Sequence, residues 1–188
     1  MCGIAGYFTS QGVFQNGYSI LTPMIGAIAH RGPDENGIYV DQHAGLGHMR
    51  LAIVGLSNGQ QPMEYADGDV GISYNGEIFN HIDLRDDLIA RGHVFRTTSD
   101  TEVILHLYEE MGPDCVGKLN GDFAFALWDR KHRRMMLARD RMGVRPLFYT
   151  WHGGVVFFAS EVKALLTVPG IEAEVDIYAL DQIFTLWA

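Results

Sequence analysis

The sequence predicts an α+β fold, and three observations carry that expectation. Strand-like runs occupy both ends of the chain, and two amphipathic helical stretches lie between them. The late strands follow one another with turns too short for a crossover helix, which argues for antiparallel pairing. Sheets packed together with helices outside satisfy all three. The 188 residues fit a single domain, whose folding removes roughly 70% of the extended chain's surface from water.

In chain order, "CGIAGYF" reads as the first strand. "TPMIGAIAH" reads as a helix with Thr22 as N-cap and Pro23 at the first helical position, Leu21, Ile25 and Ile28 lining one face. "GIYV", "LGHMRLAI" and "DVGISYNG" read as strands separated by loops bearing Gly and Asn. "HIDLRDDLIARG" is a helix between Asn80 and the stop signal Gly92. "SDTEVILHLYEEMG" carries the clearest helical pattern. Ser99 and Glu102 form a capping box, Val103, Ile104, Leu107, Tyr108 and Met111 recur at helical spacing, and Gly112 ends the run. "DFAFALWD", "RMMLARD", "PLFYTW" and "VVFFAS" then form a strand meander. "SEVKALL" and "DIYALDQIFTLW" close as helices capped by Ser160 and Asp176.

Composition excludes several functions. The net charge of −9 opposes nucleic-acid binding, which needs an electropositive face. Eight of the fourteen Lys and Arg lie between Lys118 and Arg145, but their centre, "RKHRR", sits between two strand runs where a solvated turn is expected. No run approaches the ~20 apolar residues of a membrane span. Two cysteines, Cys2 and Cys115, make no disulfide framework and no C-x-x-C pair. With no signal-peptide pattern at the start, a cytoplasmic protein with free thiols is the expectation. No pair of the eight histidines has the short helical spacing of a zinc site, so no metal is expected.

Four places could carry chemistry. Cys2 follows the initiator methionine, and trimming of Met1 would leave a thiol and an α-amine on one residue. The amine titrates near ~7.7–8.0, so nucleophile and general base would come together. Taken alone, Cys2 reads better as a small buried apolar cysteine. Asn75 and Gly76, at the expected end of a strand, offer a side-chain amide and a backbone N–H suited to an oxyanion; Asn-Gly is equally a tight turn. Arg50 shares a face with Leu46, His48 and Ala52, so its guanidinium needs an acidic partner or an anionic ligand. Asp100 lies in the first turn of a capped helix, where the helix dipole alone would justify it. With Glu77, these charges suit an amino acid held at both α groups.

"MCGIAGYF", "HRGPDENG", "GHMRLAIVGLSNGQQPM", "SYNGEIFN", "TTSDTEVIL", "LNGDFAFALWD", "ARDRMGVRPLFY" and "FASEVKAL" occur in the order typical of class II glutamine amidotransferases. The chain resembles, over nearly its whole length, the N-terminal glutaminase domain of glutamine-dependent asparagine synthetases. The resemblance implies the four-layer αββα sandwich of the N-terminal-nucleophile hydrolases. It implies that Cys2 attacks the glutamine side-chain amide and that Asn75 with the Gly76 N–H holds the oxyanion. Arg50 would then bind the α-carboxylate and Asp100 with Glu77 the α-ammonium, while backbone groups around Ile53 and Val54 line the pocket. Residues 1–188 would form this one domain with no cofactor of its own. ATP and Mg²⁺ belong to a synthetase domain whose S-G-G-x-D-S loop this sequence lacks. Phe184, Leu186 and Trp187 would pack on that C-terminal domain or on a partner subunit; homo-oligomerisation is left open. A non-catalytic glutamine-sensing module, or an enzyme for another amide or acceptor, are the rival readings.

Overall fold

The computed structural model describes residues 1–65 and 68–186. Among them are nine strands in two antiparallel sheets. β1 (Gly3–Thr9), β2 (Glu35–Val40), β3 (Ala44–Arg50), β8 (Phe148–His152) and β9 (Val155–Ala159) form one sheet in the order β2-β3-β1-β9-β8. β4 (Met63–Tyr65), β5 (Val70–Ile78), β6 (Gly121–Asp129) and β7 (Arg134–Arg139) form the other, in that order.

Strand alternation sorts the side chains into layers. Ala5 and Tyr7 of β1 meet Leu21, Met24 and Ile25 of α1 (Gly17–Ala27) on the outer face of the first sheet. Gly45 and Gly47 of β3 let that helix lie close: a Cβ on Gly47 would stand 2.5 Å from Ile25 Cγ2. On the outer face of the second sheet, Ile72, Tyr74 and Ile78 of β5 pack with Phe123, Phe125 and Leu127 of β6. Val103, Ile104 and Leu107 of α3 (Asp100–Met111) and Leu88 of α2 (His81–Ala90) cover them. Between the sheets lie Leu46, Ala126, Trp128 and Phe158. Helix, sheet, sheet, helix is the four-layer αββα order that was expected.

Several boundaries differ from the sequence reading. The first helix begins at Gly17, so Pro23 lies inside it and Thr22 is no cap; the Thr22 hydroxyl donates to Tyr18 O at 2.8 Å instead. β3 ends at Arg50, three residues short of the apolar run's end. The late strands are not one meander: β6 and β7 pair in one sheet, β8 and β9 in the other. Ser99 caps α3 by accepting from Thr101 N, but Glu102 makes no capping box. Its carboxylate accepts from Arg96 N and Thr97 N, at 2.8 and 2.7 Å, and so pins the approach loop. The short α4 (Val162–Leu165) has Glu161 at its N-cap, while Ser160 bonds Ile4 N on β1. Asp176 does cap α5 (Ile177–Leu186), accepting from Tyr178 N and Ala179 N. "RKHRR" is an exposed hairpin turn between β6 and β7.

Candidate active site

A narrow cleft opens at one end of the sandwich, where the start of β1, the end of β3, the second half of β5 and the first turn of α3 converge. Cys2, Arg50, Ile53, Val54, Asn75, Gly76, Glu77 and Asp100 all line it. Every residue singled out in the sequence is therefore at one place. Met1, Leu51, Gly59, Gln61, Tyr74 and Arg145 line it as well.

Cys2 precedes β1 and is half-buried. Its Sγ accepts from Leu51 N at 3.3 Å and donates to Leu51 O at 3.5 Å. Arg31 Nε donates to the Cys2 carbonyl at 2.9 Å while its Nη1 pairs with Glu161 at 2.9 Å, so the residue's backbone is fixed as well. Burial pushes the thiol's pKa above its ordinary value, against the lowering pull of the Leu51 N–H, the chain's ammonium terminus and Arg50. A resting thiol therefore needs a base to lose its proton at neutral pH.

Asn75 and Gly76 are not a turn and not a strand end. They lie inside β5, opposite Ala124 and Phe123, and the strand runs on to Ile78. Asn75 is 1% exposed on the face toward the first sheet, and its Nδ2 has no hydrogen-bond partner among the described residues. Such an orphaned donor is rare because it carries a desolvation cost. The Gly76 N–H is placed by the ladder. Asp69 O and Asn120 O accept from Arg130 N and Phe79 N, so odd residues of β5 bond β6 and even ones turn away. Of those, the Tyr74 N–H is taken by Gln61 Oε1 at 2.7 Å and the Ile78 N–H by Asp100 Oδ2 at 3.0 Å. The Gly76 N–H lies between them. A Cβ on Gly76 would stand 2.3 Å from Asp122 O, so the residue type is dictated by packing.

Arg50 is 3% exposed and has the acidic partner that its position called for. Nη1 pairs with Glu35 at 2.8 Å, and Nη2 donates to Gly55 O at 2.7 Å. The guanidinium is thus held rigidly at the cleft wall by the loop after β3. Asp100 Oδ2 also accepts from Tyr74 OH at 2.7 Å, and Oδ1 has no partner among the described residues. Glu77 and Ile53 are exposed at the rim. Sequence reasoning missed Glu35, Gln61, Tyr74 and Arg145. Their short motifs were visible, but only the fold shows which side chains turn inward.

Two facing antiparallel sheets between helices, with the second residue's thiol at an end cleft, make the fold expected of the N-terminal-nucleophile hydrolases. The chain belongs to the glutamine amidotransferase domain family, whose model matches residues 1–188. It is 46% identical over 188 residues to asparagine synthetase (glutamine-hydrolysing) 3 of Bacillus subtilis, covering 99% of this chain and 31% of that protein. Asparagine synthetase (glutamine-hydrolysing) 1 of the same organism is 41% identical over 184 residues, 97% of this chain and 29% of that one. The chain thus spans about a third of the length of these relatives. In fold it is similar to the B. subtilis glutamine phosphoribosylpyrophosphate amidotransferase structure, with a TM-score of 0.74 and 24% identity. That match covers 87% of this chain and 43% of that one.

Proposed function

We propose that this domain hydrolyses glutamine to glutamate and ammonia through a thioester on Cys2. Removal of Met1 exposes the α-amine, which takes the thiol proton as Sγ bonds to the side-chain amide carbon. The carbonyl oxygen becomes an oxyanion that accepts from Asn75 Nδ2 and the Gly76 N–H. The ammonium passes its proton to the leaving nitrogen, ammonia departs, and water then cleaves the thioester to glutamate. Arg50 and Arg145 face the α-carboxylate, while Asp100 Oδ1 and Glu77 face the α-ammonium. The observation that carries this reading is the buried, unpartnered Asn75 Nδ2 in the same cleft as Cys2.

The relatives' names extend the proposal to the ammonia's fate: an asparagine synthetase module receives it, and the ATP and Mg²⁺ that the sequence resemblance implies would belong to that module. The glutaminase step itself calls on no cofactor. The exposed apolar residues of α5 support docking of that module, as a C-terminal domain or a separate subunit; Trp187 lies outside the described residues. Among the described residues no helix is long and apolar enough to cross a membrane. A cytoplasmic location is part of the proposal.

Glutamate release by protein with a verified Cys2 N-terminus tests the mechanism. Cys2→Ala should abolish it, and Asn75→Ala should lower kcat on the order of 10²–10³. Parental rates in Cys2→Ala would overturn the proposal, and tight glutamine binding without turnover would make the domain a sensor.

A further inference from the structure

Away from the cleft, beneath the loop joining α2 to α3, His93, His106 and Glu109 bring three ligand atoms within 4.8 Å of one another. His93 Nδ1 and His106 Nδ1 face each other at 2.9 Å. Glu109 Oε2 lies 3.5 Å from the first and 3.8 Å from the second. A point in the plane of these three atoms is about 2.0 Å from each, which is the bond length of Zn²⁺ to imidazole nitrogen and carboxylate oxygen.

The outer contacts fix the tautomers such a site needs. His93 Nε2 lies 2.9 Å from Glu110 Oε1, so Nε2 carries the proton and Nδ1 a lone pair. His106 is 1% exposed, and its Nε2 has no hydrogen-bond partner but lies 3.7 Å from Glu102 Oε1. A bare lone pair facing that carboxylate would be repelled, so the proton belongs on Nε2 and the lone pair on Nδ1. Two lone pairs then confront each other at 2.9 Å, an arrangement that a cation resolves. A His106 Nδ1–H bonded to His93 would leave the buried Nε2 lone pair against Glu102, and a His93 imidazolium, with one N–H toward His106 and one toward Glu110, is the proton-bound state that a metal ion would displace. Tyr65 OH donates to Glu109 Oε2 at 2.6 Å and orients it, and the rings of Tyr65 and Phe95 wall in His106 at 4.8 and 4.3 Å. An open hollow lined by Tyr65, Arg91, His93, Arg96 and Glu109 reaches two of the three ligands and leaves room for a water as a further one; Arg91 in turn pairs with Glu110 at 2.9 Å, which offsets its charge there.

We infer that His93, His106 and Glu109 form a binding site for a first-row divalent ion of the Zn²⁺ class, separate from the glutaminase cleft. The histidines lie thirteen positions apart, one before α3 and one within it, so no helical spacing announced them in the sequence. A neutral imidazole pair with one carboxylate suits Zn²⁺, Co²⁺ or Ni²⁺ rather than Mg²⁺ or Ca²⁺.

Zn²⁺ titrated calorimetrically into chelator-treated protein tests the site, in a Cys2→Ser background so that the reactive thiol does not compete. One equivalent should bind with a Kd of about 10 µM or tighter. Glu109→Gln, at an exposed position, and His93→Asn, at a partly buried one, both checked for folding by circular dichroism, should each weaken binding about tenfold or more. Co²⁺ should give visible absorption bands that both variants lose. Absence of saturable binding, or binding unchanged in both variants, would overturn the inference. So would a proton shared between the two Nδ1 atoms that persists, by NMR, in excess Zn²⁺.

Discussion

His48 shows how a single residue ties the sheets together and to the pH. It is fully buried, and its Nδ1 lies 3.0 Å from Ser73 Oγ on the facing sheet. The Ser73 hydroxyl already donates to Gly47 O at 3.1 Å, so Nδ1 must carry the hydrogen of the His48 bond. Burial, with the charge of Arg50 nearby, holds the imidazole pKa down at about 3. An unfolded chain titrates this group near ~6.5, so below that pH the unfolded state binds a proton that the folded state refuses. The penalty is absent above pH ~6.5 and grows as pH falls toward the folded value, by at most about 1.4 kcal/mol per unit. His48→Asn places an amide N–H near the Nδ1 position without a titrating ring. Urea unfolding at pH 7 and pH 5 should show the parent losing up to roughly 2 kcal/mol more than this variant. Equal losses would mean that His48 is not what the acid acts on.

At the scale of elements, legibility followed local periodicity. α3 was readable because capping and a 3.6-residue repeat agree over twelve residues. The first helix was misplaced because Thr-Pro imitates a helix start. There, burial of Leu21, Met24 and Ile25 overrides the break that Pro23 would make. β4 is three residues long, too short for any repeat to mark. The split of the late strands between sheets depends on contacts far apart in sequence, which local pattern does not encode. The site was more legible than the fold at Cys2, Arg50, Asn75 and Asp100, since charge or reactivity in an apolar run is visible residue by residue. The loop after β3 adds what was hidden. Arg50 donates to Gly55 O, and Gly59 N bonds the same carbonyl at 2.8 Å. A Cβ on Gly59 would stand 2.7 Å from Arg50 Nη2. Gly59→Ala should therefore displace the guanidinium and raise the KM for glutamine about tenfold or more, with kcat changed little. Steady-state kinetics with an unchanged KM would show that Arg50 does not grip the substrate.

For the whole molecule, the layers divide labour: packed faces hold the sandwich, one end carries the cleft, and one helix faces outward. α5 exposes Ile177, Tyr178, Ile183 and Phe184, the last at 73%, and contributes no residue to the buried core among the described residues. An apolar surface of this extent suits the docking proposed for it and adds little to the domain's own stability. Replacing Ile183 and Phe184 together with Gln therefore removes little that holds residues 1–188 folded. Surface changes of this kind stay within about 0.5 kcal/mol, which for a domain of this size moves Tm by no more than about 2 °C. The same double substitution should reduce binding of a hydrophobic dye and any self-association of the isolated domain seen by light scattering. A Tm loss beyond about 5 °C would instead place α5 in the domain's own core and leave the synthetase module to dock elsewhere.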